Sequence, residues 1–492
     1  MSANNESLLE LIPEEQLKPQ VPNVMYEGKD KLPTYKFRRP PRLHNLHQLT
    51  NVFPLWSIWE ERNETLILTV PAIGLMHQHL CCFGGTHMIR VAEDDKCLSF
   101  GSGSLDYTVI GKSEHAIAET AAALWRLDTH EEFRSLRSLG KNFDFGVVSL
   151  EQLRILFRPP PTTSFLFTVS NISPVQSKFL AGLPYPISIY LTEDPLGSFS
   201  DGGHTFVETL LQRKAPFGEL RLGEVQDIQG DVFQRLLRAK AIDTLELTRT
   251  WATVREIPQL LSASVKGVKF YVSVMDSLEL DWSTIEITPR ELALQFSCYE
   301  PTHFDFVISY LRRIAHMADI VKLGFGVNHV GQVPDSLTWE LIRAVGANQS
   351  LVGLHVHQGI LYSAGLMEEM LQTLKHLKGL RLLTLDDYSE KMDPTHLLLK
   401  ELLKQNRYID VVKWNGDRVT DDDEIARLYA FNYFFRDCQT LAQEPLSRLP
   451  SLVYEILLHS ASMDYRRSAL VMANHVDAVC ALVQDSFDLS EP

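Results

Sequence analysis

Leu351-Val352-Gly353-Leu354-His355-Val356, Leu380-Arg381-Leu382-Leu383-Thr384-Leu385 and Ile409-Asp410-Val411-Val412-Lys413-Trp414 carry one apolar pattern three times. The intervals from Leu354 to Leu383 and from Leu383 to Val412 are both 29 residues. Between the copies, apolar residues recur at helical spacing: Leu337, Leu341 and Val345, then Leu366, Met370, Leu374 and Leu377, then Leu398 and Leu402. Each period therefore reads as one strand followed by one helix. A strand on one side and a wider helix on the other form a wedge. Stacked wedges place parallel strands on a concave face and helices on a convex one. No unit buries both of its faces alone, so each depends on its neighbours.

Upstream, strand-like pairs continue at Leu220/Leu222, Leu245/Leu247, Val268/Phe270, Leu294/Phe296 and Leu323/Phe325, after candidates at Phe143–Phe145, Phe165–Val169 and Ile187–Leu191. From Ile189 the steps run 31, 25, 23, 26, 29, 31, 29 and 29. The expectation is an α/β fold, an irregular horseshoe solenoid over 139–420. A small α+β module would precede it at 51–138, with strands Thr65–Val70, His87–Val91, Cys97–Phe100 and Tyr107–Ile110 and a helix over Ala116–Leu127. Residues 1–50, polar and broken by prolines, read as a flexible lead-in containing the basic cluster Lys36–Arg42. Asp421-Asp422-Asp423-Glu424 suits a helix N-terminus. Helical stretches over Ile425–Phe435, Leu452–Leu458 and Tyr465–Val483 then predict a C-terminal cap at 421–487, with a tail at 488–492.

Over about 140–420 these repeats resemble the ribonuclease-inhibitor-like leucine-rich-repeat superfamily, except that the Asn usually following LxxLxL is not regularly placed. From about residue 60 onward the layout is similar to a set of diatom leucine-rich-repeat proteins. Pro184-Tyr185-Pro186-Ile187, Asp201-Gly202-Gly203 with Phe206-Val207, and Ala469-Leu470 with Asn474-His475 carry that likeness. It implies a repeat fold and protein binding, and brings no catalytic residues. Some superfamily members carry an F-box, but no such helix pattern precedes the repeats.

A formal net charge of −15 opposes nonspecific binding to nucleic acid or anionic membranes, so neither is expected as a partner. The six cysteines lack CxxC spacing and predict neither disulfides nor structural zinc. With no basic-then-apolar leader and no run of about 18 apolar residues, the expected location is cytoplasmic, with the nucleus as the alternative. The sequons at Asn63, Asn171 and Asn348 then carry no meaning.

His77-Gln78-His79-Leu80-Cys81-Cys82, with His87 nearby, has metal-ligand chemistry but no established spacing, so packing and turn roles are expected and no metal or other cofactor is assigned. Gly101-Ser102-Gly103-Ser104 lacks the rest of a phosphate-binding motif and reads as a hairpin turn. Gly324-Phe325-Gly326 thins a strand on the concave side, where it would admit a partner's backbone. No GxSxG, HExxH or kinase motif set is present, so no enzyme is expected. By strand alternation Lys269, Tyr271, Gln295, Ser297, His355, His357, Thr384, Asp386, Lys413 and Asn415 face the concave side. They predict a protein-recognition scaffold; His355 and His357 on one side would allow a pH-sensitive contact, although two exposed histidines usually have no such role. A substrate adaptor using residues 50–130 for its machinery is the first alternative. An enzyme near His77, His79 and Cys81 is the second.

Overall fold

The computed structural model describes residues 8–18, 21–22, 25–26, 30–41, 56–71, 89–90, 95–102, 105–127, 133–138, 143–158, 164–191, 196, 198–223, 225, 230–253, 255–275, 280–329, 331–357, 359–386, 388, 392–413, 415–420, 422–441, 453–454, 456–457 and 465–480. They fall into two compact units, Met1–Tyr271 with Glu286–Pro289, and Val272–Ile285 with Arg290–Pro492.

The first unit joins antiparallel and parallel strands in one sheet. Thr65–Pro71 lies antiparallel to Trp56–Glu60 and to Leu105–Gly111, and Leu105–Gly111 pairs with Lys96–Ser102. Ser102 opposes Leu105, and the rest of the expected turn at Gly101-Ser102-Gly103-Ser104, residues 103–104, lies outside the described residues. The Glu114–Leu127 helix buries Ile117, Ala121 and Leu124 as its periodicity predicts. Lys96–Ser102 also pairs antiparallel with Phe133–Ser138, where the parallel run begins. That run continues through Ser164–Thr168, Ile187–Leu191, Gly218–Leu222 and Ile242–Ala252. Gly267–Ser273 follows in the sheet, its Lys269 and Tyr271 still within this unit.

Two sequence expectations fail here. Phe143–Phe145 is not a strand: Asp144 makes a single bridge to Ser170, and Phe145–Val147 turns as a 3-10 helix with Asp144 accepting from the Gly146 N–H. Both phenylalanines are nevertheless fully buried, so their apolar signal was core rather than strand. The true strand, FRSLRS at Phe133–Ser138, alternates poorly because Arg134 is buried, its guanidinium donating to the Leu156 carbonyl. Nor is the whole lead-in flexible. Leu9–Leu11 pairs antiparallel with Thr34–Phe37, which pairs parallel with Trp56–Glu60. Strands this short owe their existence to distant partners, and nothing periodic marks them locally. The basic cluster is partly engaged there, with Lys36 Nζ 3.6 Å from Glu10 Oε1.

Local chemistry fixes the loops of the parallel run. Ser149 with Gln152, and Ser173 with Gln176, form capping boxes that start two helices. Asp201 accepts from the N–H groups of Gly203 and Thr205 at 3.1 and 2.9 Å, so Asp201-Gly202-Gly203 is a helix start. Gly218 has φ +102°, and a Cβ there would lie 2.3 Å from the Ile187 carbonyl oxygen, so only glycine fits.

In the second unit Glu291–Ser297, Lys322–Asn328, Gly353–Val356, Leu382–Leu385 and Asp410–Val412 pair in parallel, in chain order. The helices His303–Met317, Asp335–Ala347, Ala364–Leu374 and Leu397–Gln405 pack one against the next in the same order. Leu337, Leu341, Val345, Leu366, Met370 and Leu374 are buried on them as expected, whereas Leu399 rather than Leu398 points fully inward. The rungs Leu292, Leu323, Leu354, Leu383 and Val411 lie side by side, all buried. Two steps differ from the sequence count. Leu294 opposes Phe325, not Leu323, a two-residue shift that keeps the same face. Leu383 opposes Val411, not Val412, a one-residue shift that turns Val412 to the other side.

Buried amides hold the turns before the strands. Asn348 Oδ1 accepts from the Ile320 N–H at 3.1 Å, while its Nδ2 donates to the Ile314 and Ala344 carbonyls. Asn406 Nδ2 donates to the Leu377 and Leu380 carbonyls, and its Oδ1 accepts from the Tyr408 N–H. After the last strand Asp422 caps the Asp423–Leu441 helix, accepting from the Glu424 and Ile425 N–H groups. From that helix the Tyr429 hydroxyl meets both backbone groups of Val411, donating to the carbonyl at 3.1 Å and accepting from the N–H at 3.2 Å. Residues 453–454 and 456–457 are helical, as are Tyr465–Asn474 and 476–480. Val453, Val471 and Ala478 form one buried cluster.

Asn348→Ala removes three hydrogen bonds at a fully buried site and should cost about 3 kcal/mol in denaturant unfolding. Tyr429→Phe strips both partners from Val411 while keeping the ring, and about 1–2 kcal/mol of lost stability is expected in the same measurement.

Candidate functional site

Alternation along the parallel strands turns one row of side chains away from the buried rungs. In the first unit this row is a connected polar network. Ser188 Oγ donates to Glu219 Oε2 at 3.0 Å, and Arg221 Nη2 donates to the same oxygen at 2.9 Å. Arg221 Nε lies 3.3 Å from Glu246 Oε2, which also accepts from Lys269 Nζ at 3.0 Å. Tyr190 and Thr248 share a hydroxyl hydrogen bond at 3.0 Å, and Tyr271 stands half-buried two residues beyond Lys269. The chain therefore alternates sign, Glu219, Arg221, Glu246, Lys269, along neighbouring strands.

These neighbours set the protonation states. Burial pushes the Glu219 carboxyl upward, but the Arg221 hydrogen bond and charge, with Lys269 and Ser188, outweigh it and hold the group below its ordinary value. Burial depresses the Arg221 guanidinium, yet Glu219 and Glu246 raise it above its usual value. Burial raises the Tyr271 phenol, with Glu246 adding to the effect.

In the second unit His355 and His357 project from the same face of one strand, as expected. Their rings are 4.0 Å apart, and both reach Asp386. His355 Nε2 lies 3.0 Å from Asp386 Oδ1, and His357 Nδ1 lies 3.2 Å from Oδ2. His355 opposes Thr384 in register, and the Asp386 N–H donates to the Val356 carbonyl at 3.2 Å, which carries Asp386 alongside His357. Gln295 is also on this face, its amide donating to Asn328 Oδ1.

Ser297 ends the same strand two residues after Gln295, on the same side, but is buried at 6% exposure. Two expected residues sit elsewhere. Lys413 and Asn415 belong to the turn after the last strand, where the Lys413 N–H donates to the Asp417 carbonyl and the Asn415 amide to the Asp417 carboxylate. The one-residue shift at Val411 explains the displacement. In their place Asp410 is on the strand, hydrogen-bonded by Tyr433 at 2.7 Å and paired with Arg436 at 3.2 Å. Gly326 does not leave room for a partner's backbone, because the His357 ring occupies the space beside it. His77, His79, Cys81, Cys82 and His87 lie outside the described residues.

No protein-family model matches the chain, and no curated protein matches it. Among the described residues no helix is long and apolar enough to cross a membrane. Tyr190, Glu219, Arg221 and Glu246 are additions to the sequence-derived set, although the alternation that selects Lys269 also selects them. Asp386 was selected, but its junction with both histidines required the register.

Because the folded Glu219 carboxyl is depressed, its contribution to stability is complete above the unfolded value of about 4.3 and disappears as pH falls through the lower folded value. Glu219→Gln should therefore lower unfolding free energy by about 1 kcal/mol at pH 7, and the gap to wild type should close below about pH 4 in acid denaturation series.

Proposed function

We propose that the chain is an irregular leucine-rich-repeat-type α/β scaffold that binds another protein on the open face of its parallel strands. The observation carrying this reading is the polar network of the first unit. A surface whose charged side chains already hold one another in place loses little side-chain freedom on binding. Two tyrosines and an arginine, the residue types that dominate binding energy at protein interfaces, stand among them. Both charge signs are present, which suits a mixed-polarity protein surface better than the uniform phosphate rail of a nucleic acid. The registered leucine rungs and repeating strand-helix order support the repeat assignment.

Amine-reactive crosslinking of the native chain, read by mass spectrometry, should place partner crosslinks at Lys269. Tyr271→Ala with Lys269→Ala should weaken that partner at least about tenfold while the circular dichroism spectrum stays unchanged. Full retention of affinity by the double variant removes this face as the binding surface.

A further inference from the structure

From the His355, His357 and Asp386 cluster we propose a divalent transition-metal site of the zinc class, with three protein ligands and a coordination position open to solvent. One nitrogen from each imidazole and one carboxylate oxygen all lie within 4.8 Å of one another. The nitrogen–oxygen separations, 3.0 Å to Oδ1 and 3.2 Å to Oδ2, fall a few tenths of an ångström inside the edge of about 3.3–3.4 Å of a tetrahedron whose centre is about 2.0–2.1 Å from each donor, so a small outward movement of the side chains admits an ion. Two imidazoles and one carboxylate favour zinc, cobalt or iron over magnesium and calcium, which prefer all-oxygen shells.

The backbone builds this convergence. Residues 355 and 357 share a face because strand side chains alternate, and the neighbouring strand delivers Asp386 at the register of the second histidine. On the other side the adjacent strand carries Gly324 opposite His355 in register, and Gly326 beneath His357. A Cβ at Gly326 would stand 2.9 Å from the Cβ, Cγ and Cδ2 atoms of His357, so the absence of a side chain there permits this ring position. The carboxylate is mostly covered at 14% exposure, while the imidazoles are open at 37% and 31%, so an ion reaches the site from solvent. Without metal His355 Nε2 is within hydrogen-bond distance of the Asp386 carboxylate at 3.0 Å. Metal binding requires His355 to carry its proton on Nδ1 and His357 on Nε2, leaving the facing nitrogens as ligands.

The test is titration of the full-length, chelator-treated chain with cobalt(II), followed by visible d–d absorption and by zinc competition. One cobalt per chain is expected, with bands of a four- or five-coordinate ion. His355→Ala, His357→Ala and Asp386→Asn should each weaken binding at least about a hundredfold, and Gly326→Ala, which displaces a ring but removes no ligand, about tenfold. Thr384→Ala should bind as wild type. Failure of the wild-type chain to take up cobalt overturns the proposal without reference to any variant. Undiminished bands in the His355→Ala, His357→Ala double variant overturn it as well, by placing the ion elsewhere.

Discussion

The structure depends on the register of its parallel strands. Leu383 is held between Leu354 and Val411, and each neighbouring rung is buried as it is. Because side chains alternate with a period of two, one residue of slippage would carry a leucine into water and an aspartate or histidine under the helices. Each such leucine buries apolar surface worth about 1.5–3 kcal/mol, so the penalty recurs at every rung. The lock that buries the leucines also fixes which polar side chains meet on the other side. His355 and Asp386 come together because Leu354 and Leu383 do.

Much of this was readable from the amino acids. The positions of most rungs from Ile189 to Leu383 follow from spacing, since leucines at regular intervals signal both strand and period, and the count misses at Leu294, two residues past the Leu292 that opposes Leu323. What could not be read were features decided by distant partners. Phe133–Ser138 hides behind a buried arginine, and Leu9–Leu11 is too short to show a pattern. The final step of 28 residues rather than 29 is invisible because Val411 and Val412 are the same residue type. That ambiguity moved Lys413 and Asn415 off the strand. Asn348 and Asn406 precede their strands at the ends of helices, so a search for asparagine after the leucine pattern passes over them.

The two polar surfaces solve the problem of half-buried charge differently. On the polar row of the first unit Glu219 and Glu246 both meet cations, Glu219 with Arg221 and Glu246 with both Arg221 and Lys269. Such a surface pairs its charges internally. In the second unit Asp386 faces two imidazoles, which are cations only when protonated.

The contact between Gly326 and His357 also couples the two positions. A Cβ at 326 would stand 2.9 Å from the Cβ of His357 as well as from its Cγ and Cδ2, so turning the ring alone does not relieve the clash and the backbone must shift. Because any residue but glycine at 357 keeps that Cβ, the demand for a bare backbone at 326 would outlast the histidine. The glycine thus answers to the spacing of two strands first and to the imidazole second.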